Sequence, residues 1–359
     1  MRIHDRYILG EFWRNIAIAL VAFTVIYITV DINEEISSYI DNHARALEVT
    51  LYYLFKIPWI LVLIMPVAVL LATVFTLGKL SRQNELTAFI SSGTSLVRVA
   101  APIVVSALIV SFAVMIFGEF VIPETTKRSQ KIKHVDIEKQ KEQEDARWRG
   151  NVHYQGEKER TYYAERYDLM LKTFTNMIIH EYQGSSLRRR IDAKKAYWDG
   201  EQWVLLNGAI RDFTAQGEKI TTFKKIEVKD LPERPEDFEK EDIDPEEMNF
   251  RQLRIYIDKL ARSGGPVDKY LVDLYFKFSF PFTNLIFAVI GAALASAKRK
   301  PSMATGFGLT LMISFTYYGV LRIGQALGHN GVIEPLFGAW IGNAIFVAVG
   351  GVLLYRANK

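Results

Sequence analysis

Residues 57–78 read IPWILVLIMPVAVLLATVFTLG, and no charged residue interrupts them between Lys56 and Lys79. A helix needs about 20 consecutive apolar residues to cross the hydrocarbon core of a bilayer. A soluble protein rarely carries an uncharged run of this length. The stretch therefore predicts a membrane-spanning helix.

Five further uncharged apolar runs flank this one along the chain: 15–30, 99–118, 278–297, 301–321 and 335–355. The first run is short, but Trp13 can lie at the membrane interface and Arg14 can extend its charge to water. It is preceded by Arg2 and Arg6 but lacks the small-residue site of a cleavable signal. Six such runs favour an α-helical membrane protein with six transmembrane helices over a soluble protein with buried helices.

The amino-acid composition limits the kinds of functional site that the chain can form. Half of the 359 residues are hydrophobic, the net charge is +4, and there is no cysteine. The absence of cysteine excludes disulfides, thiolate metal sites and a cysteine nucleophile. We interpret the positive charge as the excess of Lys and Arg in cytoplasmic loops, and not as a nucleic-acid footprint.

The charges of the termini and of the loops between the spans predict how the chain is oriented in the membrane. Basic residues mark the N-terminus, the loop after the second run, the loop 298–300 and the C-terminus, whereas the loop 31–56 is mostly acidic. The positive-inside rule then predicts that both termini are cytoplasmic. The expected division is helices one to three in 1–122, an external domain in 123–270, and helices four to six in 271–359.

The external segment predicts an all-β domain. Residues 124–149 predict a charged helix that continues the third span. Residues 150–231 contain short β-branched and aromatic pieces separated by turn residues. Asp199-Gly200 suits a type I′ hairpin turn between two of these pieces. This spacing predicts a small β-sandwich or a jelly roll.

Two segments lead from this domain back to the membrane. Residues 232–247 are rich in proline and acidic residues, which predicts a solvated linker. Phe250, Leu253, Ile257 and Leu260 then recur at helical spacing. They predict a short amphipathic helix along the outer leaflet that stops at residues 264–266.

Signs of catalysis are missing from the sequence. There is no G-x-x-x-x-G-K-[ST] nucleotide loop and no G-x-S-x-G elbow. The six histidines are dispersed and none has metal-ligand spacing. The spans lack the ionisable residues on which ion-coupled carriers depend. We therefore expect neither an enzyme nor a secondary transporter, and no cofactor in this chain.

The loop between spans two and three predicts a short helix near 81–92. Leu86, Phe89 and Ile90 share one apolar face, while Arg82 and Glu85 lie off it. Gly93 is a natural helix stop. Such a helix can lie on the membrane or dock in a groove of a cytosolic partner.

The chain resembles the lipopolysaccharide-transport permeases LptF/LptG along nearly its whole length, and it is more similar to LptG. The resemblance rests on motifs in a matching order: Asp5-Arg6-Tyr7-Ile8, Pro66, Gly78, Glu85-Leu86, Ser92-Gly93, Gly118-Glu119, Pro123, Ala196-Tyr197-Trp198, Trp203, Leu253, Tyr256-Ile257, Leu260, Ser263-Gly264, Tyr270, Pro335, Ala339-Trp340, Asn343 and Leu353-Leu354-Tyr355-Arg356.

The resemblance implies a bacterial inner-membrane exporter. A paralogous LptF-like permease pairs with this chain, two copies of an LptB-like cytosolic ATPase bind ATP and magnesium beneath them, and a membrane-anchored LptC-like protein begins a periplasmic bridge. The cargo is lipopolysaccharide, taken sideways from the outer leaflet. Spans one and five form lateral gates with the partner. The loop helix couples to the ATPase, and Glu85 pairs with a basic residue there.

One stretch departs from the family pattern. Members can carry lysines at the outer end of span one, which suit lipid phosphates. Here Asp31, Glu34 and Glu35 occupy that stretch, and Arg45 and Lys56 are the nearest basic substitutes for head-group contacts.

Two alternatives remain. A membrane sensor or scaffold would use the β-domain to bind a ligand, and it would have no ATPase partner. A permease of a related lipoprotein-release system would couple in the same way, but such permeases usually have fewer spans.

Overall fold

The computed structural model describes residues 3–138, 148–156, 160–183, 186–214, 217–228, 231–238, 245–262, 267–295 and 302–357. The chain divides into two compact units. The helical unit comprises Met1–Glu138, Pro245–Leu253 and Asp268–Lys359. The β unit comprises Lys139–Asp244 and Arg254–Val267.

Six helical stretches of the described residues are long and apolar enough to cross a membrane, as predicted. The first three spans are α1 (Ile3–Asp41), α2 (Ala46–Arg82) and α4 (Leu96–Phe120), and the short helix α3 (Glu85–Ser91) joins the second to the third. After α5 (Ile122–Lys131) and a π-helical turn (Ile132–Ile137), the chain enters the β unit. The helices extend well beyond the uncharged runs, because charged residues continue them past the hydrocarbon region.

The fourth span is interrupted. It consists of α8 (Asp268–Ser279), a 3₁₀ turn (Phe280–Phe282) and α9 (Thr283–Ala295). Pro281 lacks the N–H that a continuous helix requires. Buried polar groups from three spans meet at this break: Tyr317 donates to the Asn343 amide oxygen at 2.7 Å, and the Asn343 amide donates to the Ser279 carbonyl at 2.6 Å. These bonds satisfy backbone and side-chain groups that water cannot reach.

The last two spans are α10 (Met303–His329) and α11 (Pro335–Ala357). Gly324, Gly328 and Gly338 let these two helices approach closely. A Cβ at Gly338 would lie 3.0 Å from the Gly324 carbonyl oxygen and 3.1 Å from the Gly328 Cα. Small residues at such crossings are how membrane helices gain packing contacts.

The β unit contains a six-stranded antiparallel sheet, as the all-β prediction required. Its strands are β1 (Trp148–Gln155), β2 (Arg160–Asp168), β3 (Thr173–Gln183), β4 (Ser186–Trp198), β5 (Trp203–Thr214) and β6 (Gly217–Val228). Each strand pairs with the next one along the chain, so the sheet is a simple meander. This connectivity lacks the long crossovers that define a Greek-key jelly roll.

The predicted hairpin is present with a different turn. Trp198 pairs with Trp203, and the Asp199 carboxylate accepts the N–H groups of Glu201 and Gln202 at 2.9 and 2.8 Å. Within Asp199–Gln202, a positive φ occurs only at Gly200 (111°). A type I′ turn needs two residues with positive φ, so that turn type was wrong.

The prediction that 232–247 is a solvated linker was wrong for its first part. The helix α6 (Pro235–Phe238) lies on the apolar face of the sheet, where Phe238 is only 2% exposed. The ring of Phe238 lies 4.7 Å from Tyr154 and 4.9 Å from Phe174, and Trp203 donates to the Glu233 carbonyl at 2.7 Å. Apolar burial and these bonds outweigh the acidic composition of the segment.

Glu233 also contributes a buried carboxylate to this packing. The Tyr162 hydroxyl donates to it. Burial, together with the charge of Glu233, raises the pKa of Tyr162 well above its usual range. The phenol therefore stays protonated and remains a donor. Residues 239–244, the remainder of the predicted linker before its 3₁₀ turn, lie outside the described residues.

The flanking helices agree with the sequence in position but differ at their ends. The helix predicted for 124–149 is seen as α5 and the π-helical turn; 139–147 lie outside the described residues, and β1 already begins at Trp148. The predicted amphipathic helix is α7 (Phe250–Arg262), and the protein itself buries Leu253 and Ile257. Its position along the outer leaflet stays a prediction. Its predicted stop at 264–266 lies outside the described residues.

Candidate functional site

The short helix α3 is fixed at both ends by its local sequence. It follows α2 through Asn84, whose φ of 62° turns the chain sharply. It ends at Gly93, which has a φ of 84°. The Gly93 N–H donates to the Ile90 carbonyl and the Thr94 N–H to the Phe89 carbonyl, both at 3.0 Å. These two bonds form a Schellman motif, so Gly93 is the helix stop that the sequence predicted.

The three predicted apolar residues of α3 do not share one environment. Leu86 is 4% exposed and packs in the core of its own chain with Leu80 and Leu96. Phe89 is half-buried, and its ring lies 5.6 Å from that of His4. Ile90 is 50% exposed. Leu86 therefore attaches α3 to the spans, whereas the chain leaves Ile90 half uncovered.

The two charged residues predicted for this site border that surface. Arg82 ends α2 and Glu85 begins α3, and both side chains are partly exposed. Glu85 lies in the first helical turn, where the helix dipole favours a carboxylate. An ion pair between this carboxylate and an ATPase stays a prediction.

Ion pairs that the sequence did not predict hold the helices around α3. Asp5 is buried, and its two carboxylate oxygens each accept from the Arg98 guanidinium at 3.1 Å. Glu11 accepts from Lys79 at 3.1 Å and pairs with Arg14. These bonds join α1 to α2 and α4 on either side of α3. The two spans on either side of α3 are therefore both bonded to α1.

A second charged cluster lies at the opposite end of α1 and α2, which we call the far end (Asp31, Glu35, Lys56 and Lys133 with nearby tyrosines). The Lys56 ammonium lies 2.9 and 2.8 Å from the two Asp31 oxygens and donates to the Tyr52 hydroxyl at 2.8 Å. Tyr53 also donates to Asp31, at 2.7 Å. Lys133 donates to Glu35 at 2.8 Å.

These pairs change the electrostatic argument for the acidic stretch. Asp31 and Glu35 are compensated by lysines of the same chain, so they repel an anionic head group less than the sequence suggests. Lys56 is 18% exposed and neutralises Asp31, while Arg45 is 85% exposed. Arg45 is thus the more accessible of the two predicted head-group residues. Contact of either with lipid stays a prediction.

We expect Lys56→Ala to destabilise the far end by about 3 kcal/mol, because it leaves the Asp31 carboxylate uncompensated in a largely buried site. The measurement is denaturation of the purified chain by SDS titration, followed by circular dichroism. Removing both charges with Asp31→Asn and Lys56→Met should restore most of the lost stability. Equal losses in the single and double variants would contradict this electrostatic role.

Spans one and five are the least buried of the six spans in the described residues. Only 11% of the most apolar stretch of span one and 28% of that of span five is buried, compared with 67% for span two. Val21 and Val25 on span one and Phe315 and Ile323 on span five are all more than half exposed. The two spans touch through the stacked rings of Phe23 and Phe307, 6.4 Å apart. Lipid or a second protein must cover these faces.

The comparison with known families agrees with these features. The family model described as lipopolysaccharide export system permease LptF/LptG matches residues 6–356, which is nearly the whole chain. No curated protein matches the chain.

Proposed function

The chain belongs to the family of lipopolysaccharide export system permeases LptF/LptG, and from this premise we propose that it is the LptG-like membrane subunit of an ATP-driven exporter. It pairs with an LptF-like permease above two copies of an LptB-like ATPase. The pair extracts lipopolysaccharide from the outer leaflet of the bacterial inner membrane and passes it towards an LptC-like bridge protein.

The arrangement around α3 supports the proposal that a separate ATPase drives transport through this helix. The chain needs no catalytic group of its own if an external ATPase moves α3. Leu86 attaches α3 to the spans, and the Asp5–Arg98 and Glu11–Lys79 pairs link those spans to each other. This rigid connection is what a coupling helix requires. Arg82, Glu85 and Ile90 are the residues we assign to the ATPase contact.

The apolar faces of spans one and five support the proposal that the cargo is a lipid. A lipid with several acyl chains needs apolar walls, and these are the two least buried spans of the chain. Facing the same spans of a paralogue, they would enclose a cavity that opens laterally to the bilayer. In this orientation both termini and α3 are cytoplasmic, and the β unit is periplasmic.

The test is ATP-driven release of lipopolysaccharide from proteoliposomes that contain the whole complex. We expect Glu85→Ala to reduce both ATPase retention and release, because an interfacial ion pair typically contributes on the order of 2 kcal/mol. Gln83→Ala, at an exposed position of the preceding turn, is the matched control. If Glu85→Ala retains the ATPase and releases lipid normally, α3 has no electrostatic coupling role. A wild-type complex that hydrolyses ATP without releasing lipid would contradict the proposed function itself.

A further inference from the structure

Close packing joins the α8 ends of spans four, five and six into one group of helices. We call this group the α8 block (268–279, 321–329 and 335–341). A Cβ built at Gly328 would lie 2.7 Å from Val272 Cγ2, and the His329 ring is hydrogen-bonded to the Asp273 carboxylate at 2.9 Å. The glycine contacts between α10 and α11 described above belong to the same block. Contacts this close leave little freedom, so the three helix ends form one rigid body.

The other ends of the same three spans pack as closely, but against span two. We call this second group the α9 block (283–295, 303–314 and 344–357). A Cβ built at Gly291 would lie 2.9 Å from the Thr73 Cβ of α2, and one at Gly306 would lie 3.0 Å from Val74 Cγ1. Because α2 leads into α3, the α9 block is attached to the helix that carries the proposed ATPase contact.

A layer of polar contacts separates the two blocks at the interruption of span four. The Asn343 amide donates to the Ser279 carbonyl on one side of the 3₁₀ turn and accepts from Tyr317 of α10. Beside this layer, Asn284 Oδ1 and Ser314 Oγ are buried and have no hydrogen-bond partner in the part of the chain that the structure describes. Buried polar atoms are usually bonded. The layer therefore has bonding capacity left for a second arrangement.

Each of the three spans also carries a helix-weakening residue at this layer. Pro281 interrupts span four. On α10, Gly319 lies two residues beyond Tyr317, and on α11 Gly342 directly precedes the layer. A Cβ would meet nothing within 4 Å at Gly319 and only an ordinary contact of 3.5 Å at Gly342, so close packing requires neither glycine. Glycine destabilises a helix interior relative to alanine, which makes bending easier at both positions.

We propose that the α8 block pivots on this layer relative to the α9 block during transport, so that movement of α3 reaches the α8 end of span five. The proposal rests on the function proposed above, in which spans one and five line a cavity that opens laterally. It also assigns a role to two motif residues near the end of the chain. Asn343 bonds across the layer, and the Trp340 ring lies 6.1 Å from that of Phe282 in the 3₁₀ turn. Both are positioning residues of the joint.

The first test stiffens α10 at the layer without changing its packing. Gly319→Ala and Gly308→Ala each add a Cβ that meets nothing within 4 Å, and both positions are exposed. In proteoliposomes that contain the whole complex, Gly319→Ala should slow ATP-driven lipid release about fivefold, which corresponds to the roughly 1 kcal/mol by which helices favour alanine over glycine. Gly308 lies within the α9 block and is the matched control, so Gly308→Ala should release lipid at the wild-type rate.

The second test measures the pivot directly in the same vesicles. The chain has no cysteine, so spin labels can be placed at chosen positions in a complex whose other subunits lack exposed cysteines. Labels at Lys269→Cys and Ala304→Cys report across the layer, whereas labels at Lys269→Cys and Phe337→Cys lie within the α8 block; all three positions are exposed. ATP with vanadate should shift the distance across the layer by about 2 Å and leave the distance within the block unchanged.

The outcomes separate this proposal from the proposed function. If the wild-type complex releases lipid and both glycine variants match it, the exporter function stands and the pivot is wrong. A distance across the layer that stays fixed, or a distance within the block that shifts equally, would also overturn the pivot. A wild-type complex that releases no lipid contradicts the exporter function, and the distances then decide on their own whether the two blocks move.

Discussion

An Ile90→Asp variant should lose its ATPase during purification while the chain stays folded in the membrane. Ile90 is half exposed on α3, whereas its neighbour Leu86 is buried in the chain's own core. In the ATPase contact that we propose, a charge at this position should cost at least about 2 kcal/mol of binding, or roughly a 30-fold rise in Kd. The measurement is the amount of ATPase retained per tagged chain in mild detergent.

The matched control introduces the same charge elsewhere on the same side of the membrane. Ser302 is exposed and caps α10, where its hydroxyl accepts from the Thr305 N–H. Aspartate caps helices equally well, so Ser302→Asp should retain the ATPase fully. Equal retention by Ile90→Asp and Ser302→Asp would contradict the docking role of Ile90. Leu86→Asp is a poor probe, because it would also disrupt the packing that attaches α3 to the spans.

A Phe238→Ala variant should destabilise the β unit by about 3–5 kcal/mol, the usual cost of truncating a buried phenylalanine. The ring packs against Tyr154, Phe174 and Trp203, with centroids 4.7 to 5.8 Å away. Its removal opens a cavity in the apolar core of the β unit. The measurement is hydrogen–deuterium exchange of the β2 to β5 amides in the full chain.

The comparison for this variant is Phe213→Ala. Phe213 lies on β5 and is 38% exposed, so its truncation should cost much less. Faster exchange confined to Phe238→Ala would show that the segment 231–238 is part of the folded β unit. If the two variants exchange alike, the segment behaves as the solvated linker that its acidic composition first suggested.

The six spans were predictable because their signal is local. A long uncharged run identifies a membrane helix whatever it packs against. The ion pairs around α3 were not predictable, because Asp5 and Arg98 are 93 positions apart in sequence. The interruption of span four depends on Pro281, but its stability depends on Tyr317 and Asn343 from two other spans.

The candidate site was predicted in part for the same reason. Helical spacing predicted one shared apolar face for Leu86, Phe89 and Ile90, but spacing cannot tell which of them the chain's own core will bury. The prediction for 232–247 was wrong for a different reason. Its acidic and proline content suggested a linker, although Phe238 stands out as the aromatic residue within it. A single aromatic residue in an acidic stretch was the signal that could have predicted the docking onto the sheet.

The far end shows how pairing modifies a charge argument from sequence. In the sequence alone, the end of span one is acidic because it carries Asp31, Glu34 and Glu35. In the structure Lys56 compensates Asp31 and Lys133 compensates Glu35. The uncompensated negative charge at the far end is therefore smaller than the residue types alone suggest when they are compared with the lysine-bearing family pattern. Arg45 remains accessible to an anionic lipid.

The most direct test of the account is to tag the chain in its native membrane, extract it in mild detergent and determine the stoichiometry of everything that copurifies, including lipid. The account predicts one paralogous six-span permease, two copies of a cytosolic ATPase and bound lipopolysaccharide. A homo-oligomer with neither a nucleotide-binding partner nor lipopolysaccharide would contradict it and would favour a membrane sensor or scaffold.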